Sequence, residues 1–201
     1  MRALFLGLAS TLLLAGCGES DGTPRIRVMV TAAPAVTTPV DVVEEMTTPL
    51  TEAAEAKISD IRVILDRNSL SRFVRLANAE ENVVANFAGE SHRVHWDLLR
   101  RTGCDPLMRL GALLDGPYGT RQVGDQTWYI WPDFAARDAE DLMPERLDFA
   151  DRARLRELVG DVGLDRIRAG ESYPGIRTAI ADDGRWLYFV HETVQETETS
   201  N

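Results

Sequence analysis

The chain has 201 residues, a formal net charge of −10 at pH 7 and 44% hydrophobic residues. That length suits one domain with an appended tether rather than several domains. The acidic balance argues against nucleic-acid binding and against an electrostatic grip on anionic lipid. Lys57 is the single lysine, so the positive charge is almost all arginine.

Arg2 is the only charged residue before Glu19, and Ala3 to Ala15 are apolar apart from Gly7, Ser10 and Thr11. A basic start followed by a short apolar run is the pattern of a secretory signal peptide. About thirteen residues fall short of the roughly twenty needed to span a bilayer. The run ends in Leu14-Ala15-Gly16-Cys17. This resembles the bacterial lipobox, where the signal is cut just before the cysteine. The resemblance implies that residues 1–16 are removed and that Cys17 becomes a lipidated first residue, with diacylglycerol on sulfur and an acyl chain such as palmitate on nitrogen. A single acyl chain anchors only marginally, at roughly 0.8 kcal/mol per buried CH₂, whereas several make release slow. In that family an aspartate after the cysteine favours inner-membrane retention. Gly18 therefore implies the outer membrane, facing the periplasm of a bacterial cell envelope.

If Cys17 carries lipid, Cys104 has no cysteine partner within the chain. An odd cysteine in an oxidising compartment is either buried or paired between chains, so a dimer through Cys104 is one expectation.

Residues 17–51 form the expected tether, rich in threonine and proline and without aromatics or helical periodicity. Such a flexible segment has a reach of roughly 30 Å. A single folded domain is expected over 52–193, with an acidic tail over 194–201. Ile58, Ile61 and Leu65 at helical spacing predict a first helix over 52–66. Asn68 or Ser69 caps a second, with Leu70, Phe73, Val74 and Ala77 on one face. A third is predicted over 95–101, stopped by Gly103. A fourth starts at Asp105-Pro106 and carries Leu107, Leu110, Leu113 and Leu114.

Two hairpins follow. Residues 119–123 and 126–131 flank Gly124-Asp125, and 176–181 and 185–192 flank Asp183-Gly184. A two-residue turn at Asp183-Gly184 pairs Asp182 with Arg185. That register puts Trp186, Tyr188, Arg177, Ala179, Ala181 and Val190 on one face. Ile176, Thr178, Ile180, Leu187, Phe189 and His191 fall on the other. Between the hairpins, 144–159 reads as a helix with Leu147, Ala150, Leu155 and Leu158 inward, closed by Gly160. The fold class is α+β, with N-terminal helices packed on an antiparallel sheet of two hairpins. Cystatin-like and NTF2-like folds offer an analogy of architecture.

The densest polar cluster is His92, His95 and Asp97. Two histidines three apart share a helical face, as a metal ligand pair or a catalytic base requires. Cys104 with His95 would make a thiol–imidazole pair. No Gly-x-Ser-x-Gly, phosphate-cradling loop or CxxC pair occurs, so no cofactor and no metal are expected. Trp128, Trp131, Trp186 and Tyr188 concentrate on the hairpins, where an exposed face would be a binding platform. The stretches His95-Trp96-Asp97-Leu98-Leu99 and Trp128-Tyr129-Ile130-Trp131-Pro132 are similar to those of bacterial proteins with no assigned activity. The expectation is a lipid-anchored envelope protein that binds a small ligand or an envelope protein and is not an enzyme. The alternative is a periplasmic hydrolase or metal-dependent enzyme using His92, His95 and Asp97.

Overall fold

The computed structural model describes residues 48–80 and 82–191. The lipobox, Cys17, nearly all of the tether and the acidic tail lie outside the described residues. Among the described residues, no helix is long and apolar enough to cross a membrane.

Four helices come first: α1 (Glu52–Asp66), α2 (Leu70–Ala79), α3 (His92–Arg101) and α4 (Pro106–Asp115). Each is opened by a side chain that accepts a backbone N–H, from Thr51, Ser69, Ser91 and Asp105 respectively. The Ser91 cap starts α3 three residues earlier than the sequence pattern predicts, so His92 joins the helix. The strands β1 (Gly119–Val123), β2 (Gln126–Trp131), β3 (Arg177–Ala181) and β4 (Trp186–Val190) form one antiparallel sheet in the order β1-β2-β3-β4. The two expected hairpins thus lie side by side, and the α+β class holds.

A short 3₁₀ helix (Asp133–Ala136) and α5 (Phe149–Arg168) connect the hairpins. The helix expected from residue 144 instead begins at Phe149, capped by Asp148. Gly160 does not close it. Its φ of 67° bends the chain, and helical structure resumes to Arg168. The bend puts Leu155 and Val159 before it, and Leu164 and Ile167 after it, into one cluster with Phe134, Leu142 and Leu147. Ala150 and Leu158, expected inward, are exposed.

The second hairpin differs from its expected register. Ala181 N–H donates to the Arg185 carbonyl at 2.9 Å, so the loop holds three residues, Asp182-Asp183-Gly184. Gly184 takes the left-handed conformation such loops need, at φ 85°. Ile180 then pairs with Trp186, while Ala179 pairs with Tyr188, and Leu187 is the extra residue of a bulge. Trp186 is turned to the face opposite Tyr188.

That turn builds the main core. Trp186, Phe189, Ile180, Tyr129 and Trp131 meet Ile61, Phe73, Trp96 and Leu110 from the helices. The Phe73 ring lies 4.3 Å from Trp96 and 5.4 Å from Trp186, centroid to centroid. The Trp186 indole N–H donates to Thr178 Oγ1 at 3.0 Å and to the Tyr188 carbonyl at 3.1 Å. The buried indole is therefore hydrogen-bonded.

Gly184 also abuts α1. A methyl group there would meet the Ala53 carbonyl at 2.7 Å. Gly184→Ala should cost about 2–4 kcal/mol, combining backbone strain with overpacking. Gly124, at φ 65° but in open space, isolates the strain, so Gly124→Ala should cost only about 1–2 kcal/mol. Urea unfolding of both variants checks this. Equal losses would mean that the Ala53 contact contributes nothing.

Candidate functional site

Two regions carry the residues that sequence reasoning singles out. The first is the His92, His95 and Asp97 cluster on α3. His92 Nδ1 lies 2.7 Å from the Asn78 side-chain amide, and its Nε2 donates to the Val83 carbonyl at 3.0 Å. Its ring stacks on Trp96 at 5.2 Å. His92 is thus fully engaged in fastening the segment after α2. Asp97 pairs with Arg101 one turn on, at 2.6 Å. His95 Nδ1 is 4.0 Å from Glu90, and its Nε2 is closed off from solvent with no hydrogen-bond partner among the described residues. The three side chains are spent on separate partners, His92 on Asn78 and Val83, His95 on Glu90 and Asp97 on Arg101. Among the described residues, no group of three or more His, Cys, Asp or Glu side chains is placed to hold a metal.

Cys104 contacts a different histidine from the one the sequence suggests. Its Sγ lies 3.1 Å from His191 Nε2, across 87 residues of chain. Cys104 closes the turn between α3 and α4, where its N–H donates to Leu99 at 2.9 Å. Burial pushes the His191 imidazole below its ordinary pKa, and Arg109 and His95 add to the effect, against its own backbone carbonyl. A neutral imidazole in this place accepts a hydrogen bond from the thiol.

The second region is the face of the sheet away from α1–α4. Trp128 and Tyr188 lie there, half-buried, with ring centroids 6.5 Å apart and planes at 66°. Trp131 and Trp186 do not join them. At 2% and 1% exposure they belong to the core. For Trp131 the reason is strand alternation, and for Trp186 it is the bulge. The expected platform of four aromatics is thus reduced to two, and they line a cavity of about 280 Å³.

Three further features shape this cavity. Its charged lining residues are all arginines: Arg121, Arg137 and Arg177. Arg121 reaches back to the Ala136 carbonyl with Nε and Nη2 at 3.2 and 3.0 Å, and to Asp138 at 3.0 Å. Arg137 pairs with Asp133 and Asp151, both at 3.1 Å, and its guanidinium covers the Phe134 ring at 4.7 Å. Arg177 donates to the Tyr173 and Gly175 carbonyls at 3.1 and 3.2 Å. The Tyr188 phenol is pushed up by burial, with Arg177 and Arg121 pulling it back. Both arginines line the same cavity as Tyr188. Tyr173, another lining residue, is also pushed up by burial.

Phe87 completes the lining and is 74% exposed. It sits on a loop that no sequence motif announces. Asn86 Oδ1 accepts from the N–H groups of Ala88 and Glu90, both at 3.0 Å, and Asn86 Nδ2 donates to Glu90 at 2.9 Å. Just before it, Val84 bridges the edge of β4, donating to Leu187 at 3.1 Å and accepting from Phe189 at 2.9 Å. The loop that carries Phe87 is thus tied down on both sides of the aromatic ring.

Compared with known protein families, curated proteins and solved structures, the chain matches none.

The two half-buried histidines, His95 and His191, make a pH prediction. Burial is the leading cause that lowers the pKa of both His95, where Glu90 opposes it, and His191. The unfolded chain then binds protons that the folded chain resists. Stability is complete above the ordinary imidazole value of about 6.5 and is lost as the pH falls below it. The urea midpoint should drop between pH 7 and 5, and the His95→Gln/His191→Gln double variant should show a shallower drop. An unchanged slope in that variant would contradict the half-buried placement of the two rings.

Proposed function

We propose that this protein is a lipid-anchored binding protein of the bacterial cell envelope, held at the outer membrane facing the periplasm, with a small ligand as its partner. The ligand occupies the cavity on the open face of the sheet. The observation that carries this reading is the cavity itself. Two half-buried aromatics form its floor, an exposed Phe87 on a fastened loop stands at its side, and arginines supply its charge. Ligand sites combine an apolar lining with a few placed polar groups in this way. The anchor rests on the lipobox resemblance of Leu14-Ala15-Gly16-Cys17 and on the tether composition.

Two experiments test the two halves. A fragment screen by NMR should give hits that shift Trp128 and Tyr188, and Ala135→Phe, which fills the cavity, should abolish them. Hits that bind Ala135→Phe equally well would place the ligand elsewhere. Cys17→Ser should release the protein from membranes and remove lipid labelling, and unchanged membrane association would refute the anchor.

A second reading, thiol chemistry, rests on the 3.1 Å contact between Cys104 and His191. If His191 activates the thiol, His191→Gln should slow its alkylation by iodoacetamide at pH 7 by about tenfold or more. Equal rates would leave Cys104 an ordinary thiol.

A further inference from the structure

We infer that the ligand is a small carboxylate on a flat aromatic ring, with its ring against Trp128 and Tyr188 and its carboxylate towards Arg121. This rests on the cavity being the ligand site and adds the chemical class. The chain carries a net charge of −10, yet the charged residues lining this cavity are all arginines. An arginine lining in an acidic protein selects a negatively charged ligand with whatever charge its carboxylate partners leave uncompensated.

The charge count favours a monoanion. Asp133 and Asp151 already hold Arg137, and Asp138 holds one edge of Arg121. Much of the arginine charge is therefore compensated, which leaves too little to match a phosphate dianion. Arg121 spends Nε and Nη2 on Ala136, Arg137 and Asp138, and no contact among the described residues occupies Nη1. A carboxylate there takes a charge-assisted hydrogen bond.

The shape favours a ring. Trp128 and Tyr188 meet at 66°, forming a corner that a flat ring contacts by face and edge. Phe87 offers a third aromatic surface, mostly exposed until something covers it. The cavity of about 280 Å³ stands at the small end of ligand pockets, which run from roughly 300 Å³ upward. One or two fused rings suit it, and a dinucleotide does not.

The test uses 2-naphthoate and its neutral counterpart 2-naphthamide, titrated into the full chain at low salt and followed by NMR shifts of Trp128 and Tyr188. Naphthoate should bind about tenfold tighter than naphthamide or better, as one charge-assisted hydrogen bond provides. Arg121→Gln should bring the two affinities together. Equal affinities in the unaltered protein would overturn the carboxylate while leaving the cavity a ligand site. Shifts from neither probe at Trp128 and Tyr188 would overturn both. The ratio of the two probes on the unaltered protein stands even if Arg121→Gln fails to fold.

Discussion

The loop Asp182-Asp183-Gly184 decides which aromatic side chains become core and which remain on the open face. Its left-handed Gly184 sets a three-residue turn, and the bulge at Leu187 restores the pairing beyond it. Between these two points the strand is shifted by one residue. A shift of one residue exchanges faces, so Trp186 enters the core and Tyr188 stays out. The loop is held from outside as well. Thr51 Oγ1, the cap of α1, donates to the Asp182 carbonyl at 2.6 Å. Asp182 in turn is bonded to Thr127 of β2, both through its backbone N–H at 2.8 Å and through its carboxylate at 3.0 Å. One short loop therefore joins α1, β2 and the second hairpin.

The cavity is a consequence of that choice. With Trp186 inside, the open face near Trp128 carries Tyr188, Arg177 and the small Ala179 and Ala181. The 3₁₀ helix covers the β1 end of the same face. Gly119 allows the approach, because a methyl group there would meet Ala136 at 2.7 Å. Arg137 and Arg154 share Asp133 and Asp151 and cover Phe134 from 4.7 and 4.3 Å. Partly buried ion pairs of this kind are weak evidence for stability, since desolvation offsets attraction. Here they fix the position of the arginine wall beside the cavity.

Local signals were the legible ones. Ser69, Asp105-Pro106 and Gly124 mark their helix starts and turn because each acts on backbone within three residues. The second hairpin was legible in place but not in register. Asp183-Gly184 fits a two-residue turn and also the end of a three-residue one, and only contacts with Thr51 and Thr127 decide between them. Gly160 carries the signature of a helix end, where glycine commonly sits, yet helix resumes after it and buries Leu164 and Ile167. The candidate site was less legible still. Trp128 and Tyr188 were visible as aromatics, but the Phe87 loop has no motif. The contact from Cys104 to His191 spans 87 residues and follows from topology alone.

The most direct measurement is the nuclear Overhauser pattern of the Trp186 ring in the folded protein. Contacts from Trp186 to Phe73 and Trp96, with Tyr188 contacting Trp128 instead, are the expected result. Contacts between Trp186 and Trp128 would mean the regular two-residue register, and the division of aromatics between core and cavity would be wrong.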